Sequence, residues 1–243
     1  MLYHVKPGQV SYGEAIGMLL LENYVPFVPG DTANASSYSY PVRFQRVPGF
    51  TVERIMAHDM SLVEELVEAA VSLQAEGVRA ITGDCGFMAL YQDRIASNVD
   101  VPVFLSSLAQ ISFMRTLLKP GAQIGIVTAN SESLDASVFD SIGVSFDDDL
   151  VVAGLENCPS FYGSVFEENG SIDTDRVEKE VVTVVQQLID SHPNITLLLL
   201  ECSLLPPYGA AVREATGLPV FDYITMIDYV YSAVVKRKFS GFM

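Results

Sequence analysis

The sequence predicts an α/β fold of two similar lobes with parallel sheets, related by a pseudo-two-fold axis across a cleft. Three observations predict it. Short apolar runs alternate with longer amphipathic stretches, the pattern of βαβ units. The apolar runs are continuous, as in strands buried on both faces. One pattern also occurs twice. Ala80-Ile81-Thr82-Gly83-Asp84-Cys85-Gly86 has Pro102-Val103-Phe104 beginning 17 residues after its cysteine, and Leu198-Leu199-Leu200-Glu201-Cys202-Ser203 has Pro219-Val220-Phe221 at the same offset. The halves open on Ile16-Gly17-Met18-Leu19-Leu20 and Ile124-Gly125-Ile126-Val127-Thr128. A repeated spacing implies repeated supersecondary units.

Strands are expected at 16–21, 80–82, 101–105, 123–128, 151–154, 195–201 and 219–221. The stretch 61–71 reads as a helix, with Ser61 and Glu64 as its capping box. Helices are expected after the two cysteines, at 88–96 and 206–215. The stretch 173–189 has acidic residues early, where the helix dipole favours them. The last helix, 224–238, is expected to pack back on the first lobe, with Lys236-Arg237-Lys238 in its final turn. Residues 26–48 are Pro- and Gly-containing with little periodicity, an irregular segment of the kind that often carries function. Breakers at Lys119-Pro120-Gly121 and a second crossing near Gly217-Leu218 divide the chain. The first lobe is then 1–119 plus 218–243, and the second 120–217.

At 243 residues, 49% apolar and 18% charged, the composition is globular. A net charge of −16 argues against a nucleic-acid or anionic-membrane partner, since phosphate binding needs clustered Lys and Arg. No apolar run approaches the ~18 residues of a membrane span, and no secretory leader pattern is visible, so a cytoplasmic location is expected. Three cysteines make no disulfide framework and read as reduced thiols. There is no C-x-x-C, and His4, His58 and His192 are scattered, so no metal is expected. Neither a G-x-G-x-x-G nor a P-loop is present, so no nucleotide cofactor is indicated.

Cys85 and Cys202 each follow an apolar strand and precede a helix. Ligands of open α/β sheets bind beyond the carboxyl ends of strands. Amides at a helix start lower a thiol pKa and can hold a carboxylate or an enolate. Asp84 and Glu201 oppose this, because a neighbouring negative charge raises a thiol pKa. Strand neighbours point to opposite sides, so these carboxylates need not touch a substrate. Two thiols converging on one cleft suit the movement of a proton from one face of a carbon to the other. Cys158 has no counterpart in the other half and reads as a small buried apolar residue. Arg43 is the best candidate for a side-chain charge on a substrate carboxylate, with a surface ion pair as the competing explanation. Tyr91 and Tyr208 follow the cysteines at the same offset and are candidates for the cleft wall or for core packing.

At these residues the chain resembles the aspartate/glutamate/hydantoin racemase superfamily. The resemblance runs through Pro29-Gly30-Asp31 with Asn34-Ala35, Pro41-Val42-Arg43, Cys85-Gly86-Phe87, Ser106-Ser107-Leu108, Glu201-Cys202 with Pro206-Pro207-Tyr208, and Gly217 to Asp222. It implies cofactor-independent chemistry in which one thiolate takes the proton alpha to a carboxylate or carbonyl and the other thiol returns one. It implies catalytic roles for Cys85 and Cys202, and substrate contacts from Gly86, Phe87, Ser203, Thr128 and Asn130, with Asn34 and Arg43 as further candidates. Glu22-Asn23 stands where glutamate racemases carry Asp-Ser, and the usual Asn-Thr and Thr-His after the cysteines are missing. Glutamate is therefore a poor candidate. The leading expectation is a racemase or epimerase of a small carboxylate or hydantoin-like compound. The alternatives are a dimethylsulfoniopropionate-lyase type of enzyme, a maleate-type isomerase, an arylmalonate-type decarboxylase, or a non-catalytic binder of small carboxylates. A homodimer is the default assembly for such a chain.

Overall fold

The computed structural model describes residues 2–5 and 7–243; Met1 and Lys6, at the head of the expected first lobe, lie outside the described residues. Strands β1 (Ile16–Leu20), β2 (Val42–Arg46), β3 (Ala80–Gly83) and β4 (Val103–Phe104) form one sheet in the order β2-β1-β3-β4. Strands β5 (Gln123–Thr128), β6 (Leu150–Gly154), β7 (Ile195–Leu200) and β8 (Val220–Phe221) form a second in the order β6-β5-β7-β8. Every pairing is parallel. The two sheets therefore repeat one winding. Its direction reverses between β1 and β3, and again between β5 and β7, and these are the points where the carboxyl ends of the strands open a crevice.

Helices α1 (Val52–Met56), α2 (Val63–Ala75), α3 (Gln92–Ala96) and α4 (Ile111–Leu117) connect or follow the first four strands, and α5 (Ala136–Asp140), α6 (Pro159–Val165), α7 (Thr174–Ser191) and α8 (Gly209–Thr216) the next three. Gly17 and Gly125 explain the repeated Ile-Gly. A methyl at Gly17 would press on Leu73 of α2 and on Val78, and one at Gly125 on Leu198 and Ile195. α7 shows how sequence makes the outer layer. Asp173 accepts from Arg176 N at 3.1 Å and caps the helix, and Val177, Val181, Val185 and Leu188 recur on one buried face. Each of those side chains contributes roughly 1.5–3 kcal/mol by leaving water.

One apolar cluster runs through both lobes, from Leu19, Phe50 and Leu73 through Phe87 and Met88 to Phe139 and Leu199. The lobes are thus fused by packing around the turn that follows Cys85. The last helix, α9 (Tyr223–Val234), returns to the first lobe as expected, placing Tyr223, Met226 and Ile227 against Ile16, Met18 and Phe104.

Several expectations need correction. The irregular segment contains an edge strand, β2, whose alternating Val42-Arg43-Phe44-Gln45-Arg46 is half-buried. The second crossing comes after β8, because Leu198 N donates to Pro219 O and β8 pairs with β7, so 218–221 belongs to the second sheet. Ser61 caps nothing; Asp59 accepts from Ser61 N at 2.9 Å, and Glu64 pairs with Arg94. The helices after the cysteines begin as 3-10 turns, Gly86–Tyr91 and Pro206–Tyr208. Lys236-Arg237-Lys238 lies past the end of α9, where Arg237 sits 5.2 Å from the Phe239 ring centroid.

Candidate active site

Cys85 and Cys202 leave the carboxyl ends of β3 and β7 at the two switch points, and both are partly buried. Each sulfur is met by the amide two residues on, Phe87 N for Cys85 and Leu204 N for Cys202. The acids before them behave alike. Asp84 accepts from Leu21 N at 3.0 and 3.2 Å, at the end of β1. Glu201 Oε2 accepts from Thr128 Oγ1 at 2.8 Å, at the end of β5. Each acid thus ties its cysteine to the central strand of its own sheet.

Across the cleft the lobes are stitched at the same place. Ser203 Oγ donates to Asp84 O, Ser107 Oγ donates to Glu201 O at 2.8 Å, and Thr32 N donates to Ser203 O at 3.4 Å. The last contact brings in the irregular segment, with Asp31 at its base. Gly86 is required by close approach, since a methyl there would overlap Glu201 Oε1.

The electrostatics are one-sided. Asp31, Asp84 and Glu201 are 2%, 7% and 1% exposed, and none enters an ion pair among the described residues. Burial pushes Asp31 up to about 8, against the Ala33 amide it accepts from and with the Asp84 charge adding to the rise. Burial likewise pushes Asp84 and Glu201 up to about 7. Both thiols are raised, first by burial and then by the Glu201 charge. The contest between turn amides and neighbouring acid thus goes to the acid. The turns are 3-10 and short, so their dipoles are small and each sulfur keeps essentially one amide. Burial and the Glu201 charge thus both favour the protonated form of the two thiols.

The structure brings Gly86, Ser203 and Thr128 to the cysteines. Phe87 contributes its amide there, while its side chain is core. Asn130 spends its Oδ1 on the amides of Glu132 and Ser133, and Asn34 spends its side chain on Ser36 and Phe27 O. Arg43 is a correction. It sits near the amino end of β2, opposite the cysteines, and is held by Glu76 and Glu14. Parallel strands put their two ends on opposite sides of the sheet, and Arg43 meets carboxylates on the wrong one. Tyr91 is core, its hydroxyl donating to Asp59 O at 2.6 Å, whereas Tyr208 is buried with a hydroxyl that finds no partner among the described residues. Asp31 is the residue that sequence reasoning quoted without a role; its distance in sequence from Ser203 hid its place.

Comparison with known proteins gives the family and the fold. A "Dimethylsulfoniopropionate lyase" of Durusdinium sp. clade D is 34% identical over 234 residues, covering 93% of this chain and 77% of that protein. The chain belongs to the dimethylsulfoniopropionate lyase family. "Dimethylsulfoniopropionate lyase 3" of Emiliania huxleyi is 33% identical over 93% of this chain, which spans 61% of that longer family member. Arylmalonate decarboxylase, in a substituted, sulfate-associated form, superposes with a TM-score of 0.63 at 18% identity over 92% of this chain and 94% of its own. Allantoin racemase of Pseudomonas fluorescens superposes at 0.55 and 15% identity, over 91% of each chain. These two show that the family has the racemase-like fold. No family model matches the chain.

Proposed function

We propose that this chain is a lyase that eliminates dimethyl sulfide from dimethylsulfoniopropionate or a close sulfonium carboxylate. The observation that carries the reading is the pair of thiols set among three buried carboxylates, none of which pairs with a cation among the described residues. The substrate brings the missing positive charge, and the family membership supports the same substrate. A cysteine thiolate takes the proton from the carbon alpha to the carboxylate. That electron pair forms the carbon–carbon double bond, the carbon–sulfur bond breaks, and neutral dimethyl sulfide leaves with its electrons. Acrylate remains. The backbone amides that follow the cysteines are the donors for the charge that develops on the substrate carboxylate. Asp31, whose charge reaches Cys202, is raised by burial and gives up its proton as the sulfonium arrives, so that it becomes the counter-charge only with the cation bound.

A second reading has its own observation. Elimination needs one base, whereas matched thiols at both switch points suit proton return to the opposite face, as in a racemase or epimerase. One experiment separates them. The chain is incubated with dimethylsulfoniopropionate in D₂O and followed by NMR, beside Cys85→Ser and Cys202→Ser, with single-enantiomer amino acids and hydantoins as further substrates. Acrylate and dimethyl sulfide, lost in a cysteine variant, support the lyase. Deuterium at the alpha carbon of a chiral substrate, with loss of optical purity and no alkene, supports the racemase and refutes the lyase.

A further inference from the structure

We propose that Glu201 is a positioning residue that governs both thiols: it is the chain neighbour of Cys202, its side chain reaches across to the backbone beside Cys85, and its protonation decides whether either thiol can ionise. The proposal rests on the two-thiol reading of the site and not on the identity of the substrate.

Three features of the geometry carry it. Glu201 Oε2 is fixed by Thr128 Oγ1 at 2.8 Å. Glu201 Oε1 is buried and finds no hydrogen-bond partner among the described residues. That same oxygen occupies the space a side chain at Gly86 would need, so the absence of a Cβ next to Cys85 is what admits the carboxyl. A buried carboxyl with a purely structural role satisfies both oxygens. This one satisfies one and lays the other against the backbone of Gly86, the chain neighbour of the second thiol's residue.

The surrounding charges leave Glu201 without relief. Its charge is felt by Cys85, by Cys202 and by the Tyr223 phenol, which is itself committed to Leu105 O at 2.9 Å. Asp84 adds its charge at both thiols and Asp31 at Cys202. None of these acids pairs with a cation among the described residues, so an ionised Glu201 and a thiolate oppose one another across the cleft. The site holds either a carboxylate with two thiols or a carboxylic acid with one thiolate. The two states hold the same number of protons; in the second, one thiol proton has moved to Glu201.

The test reads the thiols and not turnover. Alkylation of the intact chain by iodoacetamide is followed from pH 6 to 10, with Cys85, Cys202 and Cys158 resolved by peptide mass. Glu201→Gln keeps the bond from Thr128 and removes the charge. The expected result is a rate about tenfold above wild type at pH 8 for both Cys85 and Cys202, with both profiles displaced to lower pH and Cys158 unchanged. Rates within about twofold of wild type, or a rise at one thiol alone, overturn the proposal. If Glu201→Gln fails to fold, Thr128→Val decides. It removes the bond that favours the carboxylate, and should raise both rates about threefold; no rise refutes the proposal. Loss of elimination activity with these alkylation results intact would remove the substrate assignment and leave Glu201 in its role.

Discussion

Replacing Asp31 with Asn isolates the cost of keeping an unpaired acid next to Cys202. In the folded chain the carboxyl holds its proton up to about 8, whereas an exposed aspartate releases it near 3.8. Between those values the folded state binds more protons than the unfolded one, so stability falls as pH rises and is flat beyond the upper value. Each decade of pH in that window is worth about 1.4 kcal/mol, and the full linkage is about 6 kcal/mol. Part of it is shared with Asp84, whose charge contributes to the rise. Asn retains an oxygen for the Ala33 amide, which Asp31 Oδ1 accepts at 2.9 Å. The gap in unfolding free energy between Asp31→Asn and wild type should therefore widen in the variant's favour by about 2–3 kcal/mol from pH 5 to pH 8.5. Urea denaturation at both pH values measures it. A gap that does not change with pH, or that moves toward the wild type, refutes the linkage. The same variant should bind a sulfonium substrate more weakly, with KM up roughly tenfold and kcat less affected, because the counter-charge is gone. Gain of stability with loss of binding is the signature of a residue kept for function.

Other outcomes test the frame around the site. Arg43→Met should leave kcat/KM within about twofold of wild type and cost about 1 kcal/mol of stability, because it frees Glu14 and Glu76 at the far end of the sheet; a large loss of kcat/KM would return Arg43 to the site. Gly17→Ala should lower stability by about 1–3 kcal/mol in urea denaturation, since the methyl meets Leu73 and Val78 across a closed β1–α2 contact. Asp173→Ala should cost about 0.5–2 kcal/mol by uncapping α7, with no change in the pH profile of activity.

The cysteine pair was legible because a repeated offset and a chemistry-bearing residue coincided, and the parallel winding follows from continuous apolar runs such as Leu197 to Leu200. What stayed hidden has local causes. β2 is an edge strand, half-buried, so its alternation is shallow and its prolines and glycines on either side mask it. The argument that Asp84 and Glu201 point away from their cysteines assumed that the strands continue through them. They end at Gly83 and Leu200, and beyond those residues alternation no longer dictates direction. Both acids instead turn back to cap the ends of neighbouring strands. The role of Asp31 depends on a contact between Thr32 and Ser203, far apart in the chain, which no local pattern encodes.

On the proposed reading, the charge pattern also bears on why a sulfonium carboxylate, with no net charge, would suit this cleft better than glutamate, which is net negative. Burial and Glu201 both favour the protonated, less reactive form of the two thiols. A ligand with a second carboxylate and a net negative charge would add to the repulsion among Asp31, Asp84 and Glu201 once they ionise. A substrate with a fixed cation offsets that repulsion on arrival, so the negative charge of a thiolate becomes tolerable only once the cation is bound. The substrate's sulfonium then has two effects. It acidifies the proton to be removed by supplying the leaving group, and it lowers the cost of ionising the thiol that removes it. A neutral isostere, with carbon in place of the sulfonium sulfur, should accordingly fail to speed alkylation of Cys85 or Cys202. A bound, non-eliminating sulfonium or ammonium carboxylate should displace the thiol profile to lower pH by at least about half a decade before it blocks access. If the neutral and cationic analogues leave the thiols equally unreactive at sub-saturating concentration, the cleft does not use its ligand's charge, and the three carboxylates need another explanation.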